Sequence, residues 1–414
     1  MRTEEMDVVV IGGGPAGLAA AVAARDAGAE RLLLVERGNQ LGGILNQCIH
    51  DGFGTKIFGE ALTGPEYAQI YIERLEQANV PCSLNSMVLD LTPDRELTVL
   101  SEEGMRRISA KSVVLSMGCR ERSRGALRIP GSRPAGVFTA GVVQHYMNER
   151  NIMVGERAVI LGSGDIGLIM ARRLTLEGAK VLCVAEILPY PSGIARNIVQ
   201  CLEDFDIPLR LSTTVVEIHG TDKLTGVTLA RIGPRGGVVR GTKEYLECDT
   251  LLLSVGLIPE NELAKKAAVE LSPVTNGPIV DDCFQTSVPG IFCAGNCLQV
   301  HDLVDYASLE AERAGKCAAT YADKGTLPAS TIKVKPSPEI RYVVPQEISG
   351  TEAVDFALRV RRPGEGRYVV IRRNGTVLRR LKQLLLEPSA MIRVRVRADR
   401  FQNGVGDLTV GLEK

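Results

Sequence analysis

The chain contains no Cys-x-x-Cys: of its ten cysteines the nearest two, Cys293 and Cys297, have three residues between them. That scatter offers neither an iron–sulfur cluster nor a disulfide framework, and it fits thiols kept reduced. A run of about 18 apolar residues, the length of a membrane span, is missing too. Net charge is absent: 49 Lys and Arg balance 49 Asp and Glu, which removes any argument for nucleic acid or an anionic membrane surface. The N-terminus, MRTEEMDVVVIGGG, is acidic and runs straight into an apolar segment, unlike a signal peptide. A soluble cytoplasmic protein is expected, with no metal centre.

What is present is glycine and a duplication. The 43 glycines and 45% hydrophobic content suit an α/β protein with many tight strand-to-helix turns, and 414 residues are enough for two or three domains. Residues 7–36 read DVVVIGGGPAGLAAAVAARDAGAERLLLVE, and residues 157–186 read RAVILGSGDIGLIMARRLTLEGAKVLCVAE. Gly12, Gly14, Gly17 and Glu36 recur 150 positions later as Gly162, Gly164, Gly167 and Glu186. Each copy passes from an apolar strand through Gly-x-Gly-x-x-Gly into a helix, then into a second strand that ends in an acid.

Each position has a physical reason. The first glycine makes the turn, the second lets backbone approach a pyrophosphate, and the third lets helix pack on strand. The helix N-terminus offers N–H groups and a positive dipole end to the phosphates. The acid, 19 residues after the third glycine, reaches the ribose of an adenosine. Two complete copies imply two dinucleotides. Glu186 favours a free 2′-hydroxyl over a 2′-phosphate, and no Arg follows at once in EILPYPSG, so NADH is expected over NADPH at the second site.

Charge sets the C-terminal part apart. Residues 331–414 carry 17 Lys and Arg against 9 Asp and Glu, an excess of +8, so residues 1–330 carry −8. The basic excess allows docking on an acidic surface, although a solvated basic face explains it as well. Asn374-Gly375 stands between apolar-rich runs in RYVVIRRNGTVLRRLK, a hairpin signal, and MIRVRVRADR alternates apolar residues with arginine. A small β-rich domain is expected there.

The paired fingerprints resemble flavoproteins with two dinucleotide-binding domains, in which the first site holds FAD and the second NAD(P)H. The resemblance implies an NAD domain inserted in the FAD domain. It gives residues 1–125 and 284–330 to FAD, 126–283 to NAD(H), and 331–414 to the β-rich end. TSVPGIFCAGNC resembles the closing FAD segment, with Asn296 after Gly295 where the family has an Asp for the ribityl chain. On this resemblance Gly12, Gly14, Pro15, Ala16, Gly17, Glu36, Arg37, Gly43, Gly118, Gly295 and Asn296 would serve FAD. Gly162, Gly164, Asp165, Ile166, Gly167, Glu186 and Gly256 would serve NAD. SVVLSMG and TLLLSVG resemble the strands leaving each domain, and IPGSRPAGVFTAG resembles the crossover. The arginines of CRERSR either grip an anion or form a solvated connector.

In disulfide reductases of this kind a glycine pair leads into two cysteines, but GGILNQCIH has only Cys48. A dithiol route for electrons is therefore not expected. Cys48 could cycle through a sulfenate with His50 assisting; packed residues are the plain alternative. GGILNQCIHDGFG, LTGPEYAQIYIERL, GCRERSRGALRIPG and VHDLVDYASLEAERAG resemble a narrower group. It comprises oxidoreductases that accompany glycerol-3-phosphate dehydrogenase-type flavoproteins, and FAD subunits of hydrogen cyanide synthase and opine oxidase. This implies an electron-transfer component that takes NADH and works beside a second flavoprotein. A stand-alone NADH oxidase or peroxidase using Cys48, an amine or amino-acid dehydrogenase subunit, and a non-catalytic nucleotide-binding subunit remain alternatives. A homo-oligomer stays open, since the usual dimerisation domain is replaced.

Overall fold

A computed structural model describes residues 3–402 and 406–414. They form two compact units, one of Met1–Cys119 with Pro259–Lys414, the other of Arg120–Ile258. In the first unit the strands Cys82–Ser83, Leu32–Val35, Thr3–Ile11 and Gly104–Leu115 lie side by side in parallel. Val8, Val9, Val10, Leu34, Val113 and Val114 are wholly buried, as a parallel sheet covered on both faces requires. Burying each such side chain contributes about 1.5–3 kcal/mol.

The strand Gly104–Leu115 divides its outer edge. Its first half pairs antiparallel with Glu96–Ser101, and its end pairs parallel with Ile291–Cys293. The late segment thus re-enters the sheet built by the first hundred residues, and it ends beside Leu115. Helix Pro15–Asp26 packs on helix Val304–Lys324 closely enough that a Cβ on Gly315 would stand 2.1 Å from the Ala20 carbonyl oxygen. Residues 259–283 also belong to this unit: the Asn261 side-chain Nδ2 donates to the carbonyls of Asn276 and Cys297, each at 2.8 Å.

The second unit repeats the plan. Val137–Thr139, Thr250–Leu253, Arg157–Leu161, Lys180–Ala185 and Leu209–Arg210 form a parallel sheet, and helix Asp165–Leu176 follows the glycine turn. An antiparallel three-stranded sheet, Thr213–His219, Gly226–Arg231 and Glu244–Glu247, completes it. The α/β class with two Rossmann-like sheets is as expected.

The C-terminal β-rich region has its own apolar core, including Phe356, Leu358, Ile371 and Val410. One sheet runs Glu347–Ile348, Ile332–Pro336, Leu408–Glu413, Gly364–Arg373, Thr376–Leu386; another holds Ile340–Val344, Val354–Val360 and Ile392–Val396. Asn374 and Gly375 both have positive φ, 45° and 83°, the backbone of a two-residue hairpin turn that matches strand twist. Ile392, Val394 and Val396 point inward while Arg395 is exposed.

One buried arginine ties this region to the segment before helix Val304–Lys324. Arg359 donates to the Tyr342 hydroxyl, the Ser389 and Val300 carbonyls and the Asp302 carboxylate. Asp302 also accepts from the Met391 N–H.

Candidate functional site

In the first unit the glycine turn is crowded on one side and open on the other. Gly12 has φ 106°, and a Cβ there would meet the Ser116 carbonyl oxygen at 2.6 Å; at Gly17 it would meet the Gly12 carbonyl oxygen at 1.7 Å. A Cβ on Gly14 would meet nothing within 4 Å, so that backbone faces open space. Helix Pro15–Asp26 begins with Pro at its first position and no side-chain cap on its N-terminus. This leaves the helix end to a ligand with acceptor oxygens.

Glu36 closes this turn. Its carboxylate accepts from the Gly13 and Gly38 N–H groups, each at 2.6 Å. Gly43 and Gly295 come to the same place: a Cβ on Gly43 would lie 3.0 Å from Gly14 Cα, and one on Gly295 would lie 2.7 Å from Ala16 Cβ. Gly118, with φ 71° and open space before it, follows Ser116 and Met117 at the end of the exit strand. Arg37 is exposed beside Glu36.

The second unit contains the same clamp. Gly162 has φ 90°, with a would-be Cβ 2.2 Å from the Ser254 carbonyl oxygen. Glu186, 3% exposed, accepts from the Ser163 N–H at 3.0 Å and the Leu188 N–H at 2.9 Å. These bonds fall on the same relative positions as those of Glu36. Helix Asp165–Leu176 has no side-chain cap at Gly164. The Asp165 carboxylate instead accepts from the Ile194 N–H and the Asn197 amide. Ile166 is half-buried, and Gly256, φ 103°, faces open space after Ser254.

Several residues that shape both clamps escaped the sequence reading. Ser116 donates to the Ile11 and Gly12 carbonyls, while Ser254 accepts from the Gly167 N–H and donates to the Gly164 carbonyl. The signal was there, since both exit strands end in Ser-x-Gly, as SMG and SVG. The Ser163 and Ser192 hydroxyls both donate to Glu186, at 2.6 and 2.7 Å. Ser192 lies in a loop whose sequence gives no such cue.

The strand end at Gly295 carries a buried polar network. The Asn296 side-chain oxygen accepts from the His301 N–H at 3.0 Å, and one His301 ring nitrogen lies 3.3 Å from it. The other ring nitrogen lies 3.3 Å from Glu310, whose carboxylate also accepts from the Gly295 N–H and the Gln299 amide, both at 2.8 Å. The departure from Asp to Asn at this position therefore comes with a histidine fixed on the amide oxygen. Asp302, held by Arg359, is the next residue after His301, so the C-terminal region steadies this loop.

Cys48 and His50 both lie in the loop that follows the short helical turn Gly43–Gln47. The Cys48 thiol donates to the Ile44 carbonyl at 3.3 Å, and the His50 ring packs on Phe53 with centroids 5.1 Å apart. The next stretch is pinned from afar: buried Asp305 accepts from the Gly54, Lys56 and Ile57 N–H groups. Cys293 and Cys297 are wholly buried with sulfurs 3.4 Å apart. Burial, with the second sulfur beside it, pushes the Cys293 thiol well up, and the same sulfur contact draws the Cys297 thiol down.

Residues 6–311 match the family described as pyridine nucleotide-disulphide oxidoreductases. The chain belongs to that family. That family is FAD- and NAD(P)H-dependent. Hydrogen cyanide synthase subunit HcnB of Pseudomonas protegens is 25% identical over 317 residues, which cover 70% of this chain and 66% of that subunit. Rubredoxin-NAD(+) reductase of Ectopseudomonas oleovorans is 26% identical over 293 residues, covering 70% and 72%. Thioredoxin reductase of T. acidophilum shares the fold with TM-score 0.62 at 22% identity, over 78% of this chain and all of that one. The chain thus spans just under two thirds of HcnB. No helix among the described residues is long and apolar enough to cross a membrane.

The residues present fit the family's two cofactors. In each unit an uncapped helix meets an acid, half-buried Glu36 or buried Glu186, that accepts from the turn; the Gly14 backbone is bare, while a Cβ on Gly164 would lie 3.0 Å from Ser254 Oγ. These are the donors, the clearance and the carboxylate that an adenine dinucleotide needs.

Proposed function

We propose that this chain takes hydride from NADH onto FAD and hands the electrons to a separate protein, without a disulfide of its own. The partner in this reading is a flavoprotein of the glycerol-3-phosphate dehydrogenase type. The first-unit turn, with Gly12, Gly14, Gly17 and Glu36, would hold the ADP half of FAD; Gly118, Gly295 and Asn296 would face the ribityl end. Because the Asn296 oxygen is engaged by His301, its amide N–H groups are the end left to donate to a ribityl hydroxyl. Gly162, Gly164, Gly167 and Glu186 would hold NAD(H). The cofactors supply the hydride chemistry, and the protein supplies position and the exclusion of water.

One observation carries the disulfide-free part of the reading. The segment after the glycine pair holds the one thiol of Cys48, and the adjacent sulfurs of Cys293 and Cys297 are sealed from solvent. A relative named for rubredoxin and NAD(+), and another named as a synthase subunit, support an outlet on another polypeptide.

The test is steady-state NADH consumption by the FAD-loaded protein. Turnover is expected to be slow with oxygen or peroxide alone and to rise at least tenfold with an artificial dye acceptor. Cys48→Ser is expected to leave the dye-linked rate within about twofold, since loss of a nucleophile costs far more than that. Fast peroxide-dependent turnover abolished by Cys48→Ser would instead establish the peroxidase reading. FAD that NADH cannot reduce would establish a binding subunit.

A further inference from the structure

The strand Thr376–Leu386 is the last of its five-stranded sheet. One of its edges pairs with Gly364–Arg373 from Arg373↔Thr376 to Gly364↔Leu386, and its other edge pairs with no strand among the described residues. Eleven residues is long for an edge, where proteins usually keep strands short or covered. Val377, Leu384 and Leu385 are 44%, 77% and 52% exposed. Among the described residues of 331–414, no other large apolar side chain is so exposed.

Cations sit among these apolar groups. Arg379, Arg380 and Lys382 are exposed. Arg380 covers the Tyr368 ring, and neither Arg379 nor Lys382 has an acidic partner within ion-pair distance among the described residues. Neighbouring cations differ: Arg367 pairs with Glu339, Arg372 with Glu413, Lys335 with Asp407 and Arg395 with Asp355. The open edge thus carries three exposed cations close together, none of them paired with an Asp or Glu among the described residues. From 379 onward the strand alternates regularly, with Arg379 and Leu385 on one face and Arg380, Lys382 and Leu384 on the other.

We infer that this edge receives an extended acidic segment of a partner protein, which adds a strand beside Thr376–Leu386. Main-chain hydrogen bonds would give the pairing, carboxylates would meet Arg379 and Lys382, and apolar side chains would cover Leu384 and Leu385. Charge selects this occupant over a second copy of the chain. Two such strands side by side, about 5 Å apart, would bring three cations of one against three of the other. The inference concerns a docking edge and stands independently of the redox reading.

The experiment uses the full chain and two ten-residue peptides of alternating valine and charge, one with Glu and one with Lys, each ending in Trp. The protein has no Trp, so peptide fluorescence reports binding alone. The Glu peptide is expected to bind, to weaken as salt rises, and to slow amide hydrogen exchange at 376–386. In Arg379→Glu/Lys382→Glu, affinity for the Glu peptide should fall at least tenfold and preference should pass to the Lys peptide. Flavin reduction by NADH should stay as in the wild type. Any one of these results would overturn the inference: no binding of the Glu peptide at millimolar concentration, equal binding of both peptides, or protection away from 376–386. Slowed exchange at 376–386 in the protein alone as its concentration rises would assign the edge to a second copy and overturn it likewise.

Discussion

In Glu186→Gln, the ratio of kcat/KM for NADH to that for NADPH is expected to fall by about ten- to a hundredfold, which is about 1.4–2.7 kcal/mol. Glu186 is buried and accepts four hydrogen bonds, from Ser163 N–H and Oγ, Ser192 Oγ and Leu188 N–H. A carboxylate so held cannot swing away from a 2′-phosphate. Two unit charges about 4 Å apart repel by about 4 kcal/mol at the effective dielectric of a protein surface, so losing most of the selectivity is the natural scale. Gln preserves the shape and one acceptor oxygen, and it removes the charge. Glu186→Arg should go further and prefer NADPH. It also strips the Ser163 and Leu188 N–H groups of their acceptor, so its thermal midpoint should drop while that of Glu186→Gln moves less. Steady-state kinetics with both nucleotides and a dye acceptor check this. An unchanged ratio in both variants would remove Glu186 from cofactor choice.

Arg359→Met should cost about 3–5 kcal/mol, the usual price of leaving one partner of a buried ion pair alone. Met keeps much of the side-chain volume, so the loss reports charge and hydrogen bonds more than a cavity. Without Arg359, the Asp302 carboxylate keeps only the Met391 N–H, and the Val300 and Ser389 carbonyls lose a donor. Because Val300 and Asp302 flank His301, the loop bearing the Asn296–His301–Glu310 network should loosen. FAD should then dissociate at lower urea concentration than in the wild type. Adding Asp302→Leu to Arg359→Met should recover part of the stability, since an apolar pair replaces a stranded charge. Thermal denaturation with flavin fluorescence as a second readout measures both effects. A single variant as stable as the wild type would show that Arg359 does not staple the C-terminal region to this loop.

Local patterns were legible in the sequence, and distant pairings were not. The glycine turns, the Asn374-Gly375 hairpin and the alternation at Ile392–Val396 each depend on residues a few positions apart, and the hairpin and the alternation have the expected form. Helix Val304–Lys324 likewise stops at a local signal, Gly325, whose φ is 73°. By contrast, 129–141 reads as a linker from its prolines and glycines, yet Val137–Thr139 is a sheet strand paired with Leu251–Leu253. Pairing across more than a hundred residues outweighs local composition there.

The polar shell of each site was hidden for the same reason. Ser254 lies 87 residues from Gly167, Arg359 lies 57 from Asp302, and Asp305 lies 251 from Gly54. Only the fold brings these groups together. The setting of Asn296 is hidden in the same way, because Glu310, which holds the His301 ring beside the Asn296 oxygen, comes near only when the helix after the loop packs on the strand end.

The most direct measurement mixes the FAD-loaded protein with NADH in the absence of oxygen and follows the visible flavin band. One equivalent of NADH is predicted to bleach the band fully, faster than NADPH does at equal concentration. A band that stays yellow with nucleotide bound, or that only NADPH bleaches, would contradict the account.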